Sequence, residues 1–165
     1  MLLLTVKFQI MRVVAYSVKS FEKEPLAIAN RKKHEITLIS NPLTVETASF
    51  ALGKDAVVIS IEDALDAQVI DTLADLGVRF IATRSTSSDH IDVQASGRRQ
   101  MKIASVPAQL TDQALKTDYV TIFANQTILN LDRFQSKGCL AEACVCARAC
   151  KKTSDDAVKT NHGLL

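Results

Sequence analysis

The chain has 165 residues, 47% of them hydrophobic and 23% charged, which suits one soluble domain with a single buried core and leaves no room for a second. Twenty Lys and Arg against eighteen Asp and Glu give a formal net charge of +2. The signs alternate along the chain instead of gathering in blocks, which argues against a nucleic-acid surface or an acidic-membrane partner.

The opening run Met1 to Leu4 is apolar, but Lys7 and Gln9 interrupt it. It is too short for a signal peptide or a membrane span, so no membrane partner and a cytoplasmic location are expected. Residues 1–10 read as an extension. The alternation of Leu4, Val6, Phe8 and Ile10 with Thr5, Lys7 and Gln9 either adds an edge strand or is upstream sequence without a structural role.

From Met11 the pattern becomes regular. Short β-branched runs at Arg12–Tyr16, Ile36–Ile39, Ala56–Ile59, Val78–Ala82 and Lys102–Ser105 have the length of buried strands. Helical spacing is predicted between them over Phe21–Lys33, Val45–Leu52, Asp66–Leu76 and Asp89–Arg99. In the third of these, Val69, Ile70, Leu73, Ala74 and Leu76 share one face, and Gly77 supplies the left-handed stop.

Strands alternating with helices imply right-handed crossovers and an α/β domain: a flavodoxin-like five-stranded parallel sheet flanked by helices. Ligands of such sheets bind beyond the carboxyl ends of the strands. The loops of interest therefore begin at Ser17, Ser40, Ser60, Thr83 and Ser105.

After Pro107, Thr111 is expected to cap a further helix running to about Phe134 and stopped near Gly138. Residues 135–165 form a Cys-rich tail, whose polar end from Lys151 to Leu165 is expected to lack fixed structure.

The motifs M-R-V-V-A-Y-S-V-K from Met11, D-A-V-V-I-S from Asp55, G-V-R-F-I-A-T-R-S from Gly77, D-H-I-D from Asp89 and V-P-A from Val106 carry a resemblance. Met11–Ala108 resembles the first part of the substrate domain of D-isomer-specific 2-hydroxyacid dehydrogenases, nearest the D-lactate dehydrogenase branch. In that family the chain leaves the substrate domain after V-P-A, builds an NAD-binding domain, and returns to lay a helix on the first. Leu110–Phe134 resembles that returning helix, so the resemblance implies a chain whose nucleotide domain is missing.

None of the five glycines forms G-x-G-x-x-G, so no turn of that type brings backbone amides against a pyrophosphate. The family's catalytic Arg, Glu and His find no counterpart, and Gln109 stands where the family has a Tyr after V-P-A. Hydride transfer needs a base, a cation for the carboxylate and a held nicotinamide. NAD binding and turnover are therefore not expected of this chain.

The resemblance leaves part of a substrate cradle. The loop after the fourth strand, which in the family presents N–H groups to a carboxylate through S-x-G-x-D, is here Ser85-Thr86-Ser87-Ser88-Asp89, and Ser87 would be strained if the family's Gly had a positive φ. Ser85, Thr86 and Ser87 are the candidate contacts for a small 2-hydroxy or 2-oxo acid. The same loop also reads as a helix start capped by Ser88 or Asp89, and the two readings are compatible.

His34, in a Lys-rich turn, is expected on the solvated surface, and His90 is read as structural. His162 carries no argument. Cys139, Cys144, Cys146 and Cys150 form C-x4-C-x-C-x3-C. This spacing departs from zinc-finger and ferredoxin patterns and leaves open a zinc or iron-sulfur site, a redox-labile tail, or no specific role. Three functions follow: an inactive remnant of a dehydrogenase, a module that binds small carboxylates or forms a homodimer or a pair with a full-length paralogue, or a carrier of a metal site. An apolar patch is expected where the nucleotide domain would have packed.

Overall fold

The computed structural model describes residues 10–114 and 118–145. The strands are β1 (Arg12–Ala15), β2 (Glu35–Leu38), β3 (Ala56–Ile59), β4 (Phe80–Thr83) and β5 (Lys102–Ala104). They form one parallel sheet in the order β2-β1-β3-β4-β5. Helices α1 (Ser20–Asn30), α2 (Ala67–Asp75), α3 (Val93–Arg98), α4 (Leu110–Ala114) and α5 (Tyr119–Gln135) complete the fold, with a short 3-10 turn at Thr47–Ala51. This is the α/β arrangement that the alternating pattern predicts.

Alternation along each strand builds two cores, because successive side chains point to opposite faces. Val14, Tyr16, Val57, Ile59, Ile81 and Ile103 meet Val69, Ile70 and Leu73 of α2 and Ala95 of α3. Val13, Ala15, Val58, Phe80 and Ala82 face Leu26 of α1 and Ala124, Ile128 and Leu131 of α5. On that side Phe80 and Phe134 stack, with ring centroids 4.4 Å apart.

Helix ends follow local chemistry. Asp66 caps α2 by accepting the Val69 N–H at 2.9 Å, and Gly77, at φ 98°, ends it as the sequence predicts. The Gly77 and Val78 amides donate to Ala74 and Leu73 carbonyls at 3.1 and 3.0 Å, the paired bonds of a Schellman stop.

Other boundaries differ from expectation. The helix expected over Val45–Leu52 is only the 3-10 turn. The α3 cap is Asp92, which accepts the Ala95 N–H at 2.9 Å, and neither Ser88 nor Asp89 fills that role. The preceding residues are held by a parallel bridge between Leu65 and Ile91, which delays the helix.

The single helix expected from Thr111 is two. Asp118 starts α5 by accepting the Val120 N–H at 3.0 Å and the Thr121 hydroxyl at 2.8 Å, while the Thr111 hydroxyl donates back to the Ala108 carbonyl instead of capping. At the far end Lys137, not Gly138, takes the left-handed conformation, at φ 55°. Gly138 closes the stop by donating to the Arg133 carbonyl at 2.8 Å.

Beyond α5 the chain reaches the β5 edge. Ser105 N–H donates to the Ala143 carbonyl at 2.8 Å and Val145 N–H to the Ile103 carbonyl at 3.1 Å, around an antiparallel bridge between Ala104 and Cys144. Among the described residues no helix is long and apolar enough to cross a membrane.

Candidate functional site

The carboxyl ends of β1, β3 and β4 open into a cleft of about 370 Å³, walled on one side by the start of α5. Lys19, Ser60, Arg84, Ser85 and Thr86 line its polar part, and Phe21, Ile61, Tyr119 and Phe123 its apolar part. A larger groove of about 620 Å³ runs between α1 and α5 past Glu24, Ile28, Asp118 and Leu129. It follows the outer helix surfaces and the α1–β2 turn at Arg31 and Lys33, and its lining includes none of the loops at the carboxyl ends of the strands.

The loop after β4 is pinned from beneath. Arg84 is buried, its side chain only 3% exposed. Its Nε donates to Glu22 Oε1 at 3.1 Å, and its Nη groups reach the Tyr16 and Ser17 carbonyls at 3.2 Å and Glu22 Oε2 at 3.3 Å. Every arm of the guanidinium is used to lock β1 and α1 to this loop. The Ser85 hydroxyl, buried as well, donates to the Ser87 carbonyl at 2.6 Å.

With the loop so held, its amides are left over. The N–H groups of Ser85, Thr86, Ser87 and Ser88 meet no acceptor among the described residues. Backbone donors at a strand end are normally paired, and a consecutive set without protein acceptors on one short loop is the arrangement that receives an anionic oxygen. Ser87 is not among the residues with a positive φ, so the strain anticipated for serine at that position does not arise. Ser85 and Thr86 line the cleft, and Ser87 shapes the loop by accepting the Asp89 N–H on its hydroxyl at 3.1 Å.

A second hub lies outside the sequence reading. Asp63 is 1% exposed. It accepts the Ser17 hydroxyl at 2.7 Å, the Leu43 N–H at 2.9 Å and the Ser60 N–H at 2.8 Å, tying together the loops after β1, β2 and β3. Ser17 sits at φ 51°, a cost these bonds offset. The signal was present as S-x-x-D over Ser60–Asp63, the spacing at which a side chain reaches back to a backbone amide.

Tyr16 donates to the Thr47 carbonyl at 3.0 Å. Burial, with the Asp63 charge adding to it, pushes its phenol up to about 12. His90 sits under the loop with Nε2 3.3 Å from Thr83 Oγ1. Burial lowers its pKa against the opposing pull of Asp63 and Asp89, in keeping with a structural role.

His34 is corrected outright: its side chain is 1% exposed, with Nε2 2.7 Å from Asp132 Oδ1 on α5. Lys33 joins the same carboxylate at 2.7 Å, so the turn expected in solvent is the socket of the last helix.

Of the cysteines, Cys139 is exposed and accepts the Ala141 N–H at 3.3 Å, while Cys144 lies at the β5 edge. Cys146, Cys150 and His162 lie outside the described residues, as do residues 1–9 and Lys151–Leu165. Among the described residues no group of three or more His, Cys, Asp or Glu side chains is placed to hold a metal ion.

Comparison with known proteins agrees with this geometry. The family described as D-isomer specific 2-hydroxyacid dehydrogenase, catalytic domain, matches residues 10–143. A D-lactate dehydrogenase of Curvularia clavata is 36% identical over 103 residues, covering 59% of this chain and 30% of that protein. A 2-hydroxyacid dehydrogenase homolog of Zymomonas mobilis is 31% identical over 99 residues, with the same 59% and 30% coverage. The solved apo D-lactate dehydrogenase of Escherichia coli superposes with a TM-score of 0.59 at 25% identity, over 88% of this chain and 42% of that one. The chain thus spans about 30% of the length of the curated relatives it matches. With its parallel sheet, its loop of open amides and this match over most of its length, the chain belongs to the D-isomer-specific 2-hydroxyacid dehydrogenase family.

Proposed function

We propose that this chain binds the carboxylate of a small 2-oxo or 2-hydroxy acid on the Ser85–Ser88 amides and does not itself carry out hydride transfer. The observation that supports binding is the set of consecutive N–H groups without protein acceptors on a loop that Arg84 holds rigid. Amides fixed before the ligand arrives cost little reorganisation when they bond it.

Two features support inactivity. NAD is the cofactor the family implies, yet the glycines Gly53, Gly77, Gly97, Gly138 and Gly163 provide no phosphate-binding fingerprint. Among the described residues the chain also passes from β5 to α5 with only α4 between them, and no further strand and crossover on which a dinucleotide would lie is found there. Among the described residues no histidine lines the cleft, and His90 is engaged with Thr83 beneath the loop, so the described cleft offers no histidine as general base.

The test combines two readouts on the purified chain. Titration with pyruvate or D-lactate should shift the amide resonances of Ser85–Ser88, with no NADH consumed in the presence of pyruvate. Unmoved amides overturn the binding reading, and pyruvate-dependent NADH oxidation overturns the inactivity.

A further inference from the structure

Beneath the Ser85–Ser88 amides runs a chain of hydrogen bonds whose protons can be counted. The Ser85 hydroxyl has one proton and gives it to the Ser87 carbonyl at 2.6 Å. The Thr83 hydroxyl also has one, and donates it to Ser85 Oγ at 3.4 Å. Thr83 therefore has only lone pairs left for His90 Nε2 at 3.3 Å, and the ring is the donor there.

The other side of the ring agrees. His90 Nδ1 is buried and meets no partner among the described residues, which suits the bare lone pair of a neutral imidazole and would strand an N–H. Burial lowers the pKa of the ring, which favours that neutral, singly protonated form. The His90 carbonyl accepts the Leu65 N–H at 2.8 Å, so the residue is also fixed through its backbone. Thr83 and Ser85 are both buried, which keeps competing water off the chain.

We infer that His90 is a positioning residue: as the Nε2–H tautomer it heads a one-way chain, from His90 through Thr83 and Ser85 to the Ser87 carbonyl, that turns the Ser88 amide outward for a carboxylate. The inference rests on the carboxylate reading above and names the group that sets its geometry. No cis peptide bond occurs among the described residues, so a carbonyl drawn down to the buried Ser85 hydroxyl sends the following N–H the opposite way. Donors in series polarise one another, so a donor at the head strengthens the bond at the tail. In the Nδ1–H tautomer Thr83 would turn its proton to the ring and leave Ser85 without that donor.

Long-range 1H–15N correlation of the full chain above neutral pH reads the tautomer, with the His90 signals assigned by their absence in His90→Gln. Nε2 should carry the proton before and after pyruvate is added. Thr83→Val and His90→Leu should each weaken pyruvate binding by about three- to tenfold, the worth of one hydrogen bond, with the largest loss of ligand-induced shift at the Ser88 amide. Thr83→Ser and His90→Gln, which keep a hydroxyl and a side-chain N–H, should restore most of the affinity.

A proton on Nδ1 in the native chain, a result that needs no variant, overturns the inference while leaving carboxylate binding intact. So does pyruvate affinity unchanged in both Thr83→Val and His90→Leu, or no better in the conservative variants than in these two. Loop amides unmoved by pyruvate in the native chain overturn the carboxylate reading and the positioning role with it; the tautomer, measured without ligand, tells the two failures apart.

Discussion

Asp63, Arg84 and Tyr16 share one economy: each is a polar group far from water whose hydrogen-bonding capacity is spent on loop backbone. A buried polar atom without a partner costs roughly 1–3 kcal/mol, so these contacts hold the strand-end loops in one conformation. Tyr16 gives a measurable consequence. Its phenol is pushed up to about 12 from an unfolded value near 10. The folded state therefore holds its proton while the unfolded chain loses it. Stability present below pH 10 should be lost as the pH rises from about 10 to about 12, by about 2–3 kcal/mol in all. Urea unfolding across that window should show the slope in the native chain and lose this component in Tyr16→Phe, which cannot titrate.

At the scale of elements, helix stops provide the sharpest comparison between pattern and fold. Gly77 was legible because glycine at the end of a helical run has one ready use. The stops after α3 and α5 use Gln100 at φ 56° and Lys137 at φ 55°, residues that give no such signal, and both are exposed. Replacing either by glycine should raise stability by about 0.5–1 kcal/mol, since glycine adopts the left-handed conformation without the Cβ clash; thermal unfolding of Gln100→Gly and Lys137→Gly checks this. The start of α3 was misplaced because D-H-I-D offers two caps, Asp89 and Asp92, and the choice is made by Leu65, whose amide and carbonyl bond His90 and Asp92 at 2.8 Å. His34 was misread for the same reason: its partner Asp132 lies 98 residues away. Local chemistry is written locally, but a contact across the fold is not.

For the molecule as a whole, the sheet was legible from strand length and alternation, and the candidate loop from family motifs. The apolar part of the cleft was not, because it forms only when α5 brings Tyr119 and Phe123 over loops that are distant in sequence. The sheet's two edges are protected differently. Along β2, Lys54 bonds Thr37 at 3.3 Å and stands 3.9 Å from Glu35, a charged edge of the kind that discourages pairing. The β5 edge is instead covered by residues 143–145, with Leu140 and Ala143 buried alongside. A chain ended after Gly138 should therefore unfold at lower urea concentration and aggregate faster than one ended after Val145, as read by light scattering during refolding.

Arg84 carries a last implication. A carboxylate is usually caught by a mobile cation, whose attraction reaches through solvent and fades as salt is added. Here Arg84 is already neutralised by Glu22 and turned towards carbonyls, so under the binding proposed above an acid would meet oriented dipoles and no free charge from this arginine. Recognition on such terms is short-ranged: it draws nothing in from a distance, and ionic strength has little hold on it. The protein would thus distinguish acids by fit at contact, with the arginine acting as a rivet for the loop and never as bait.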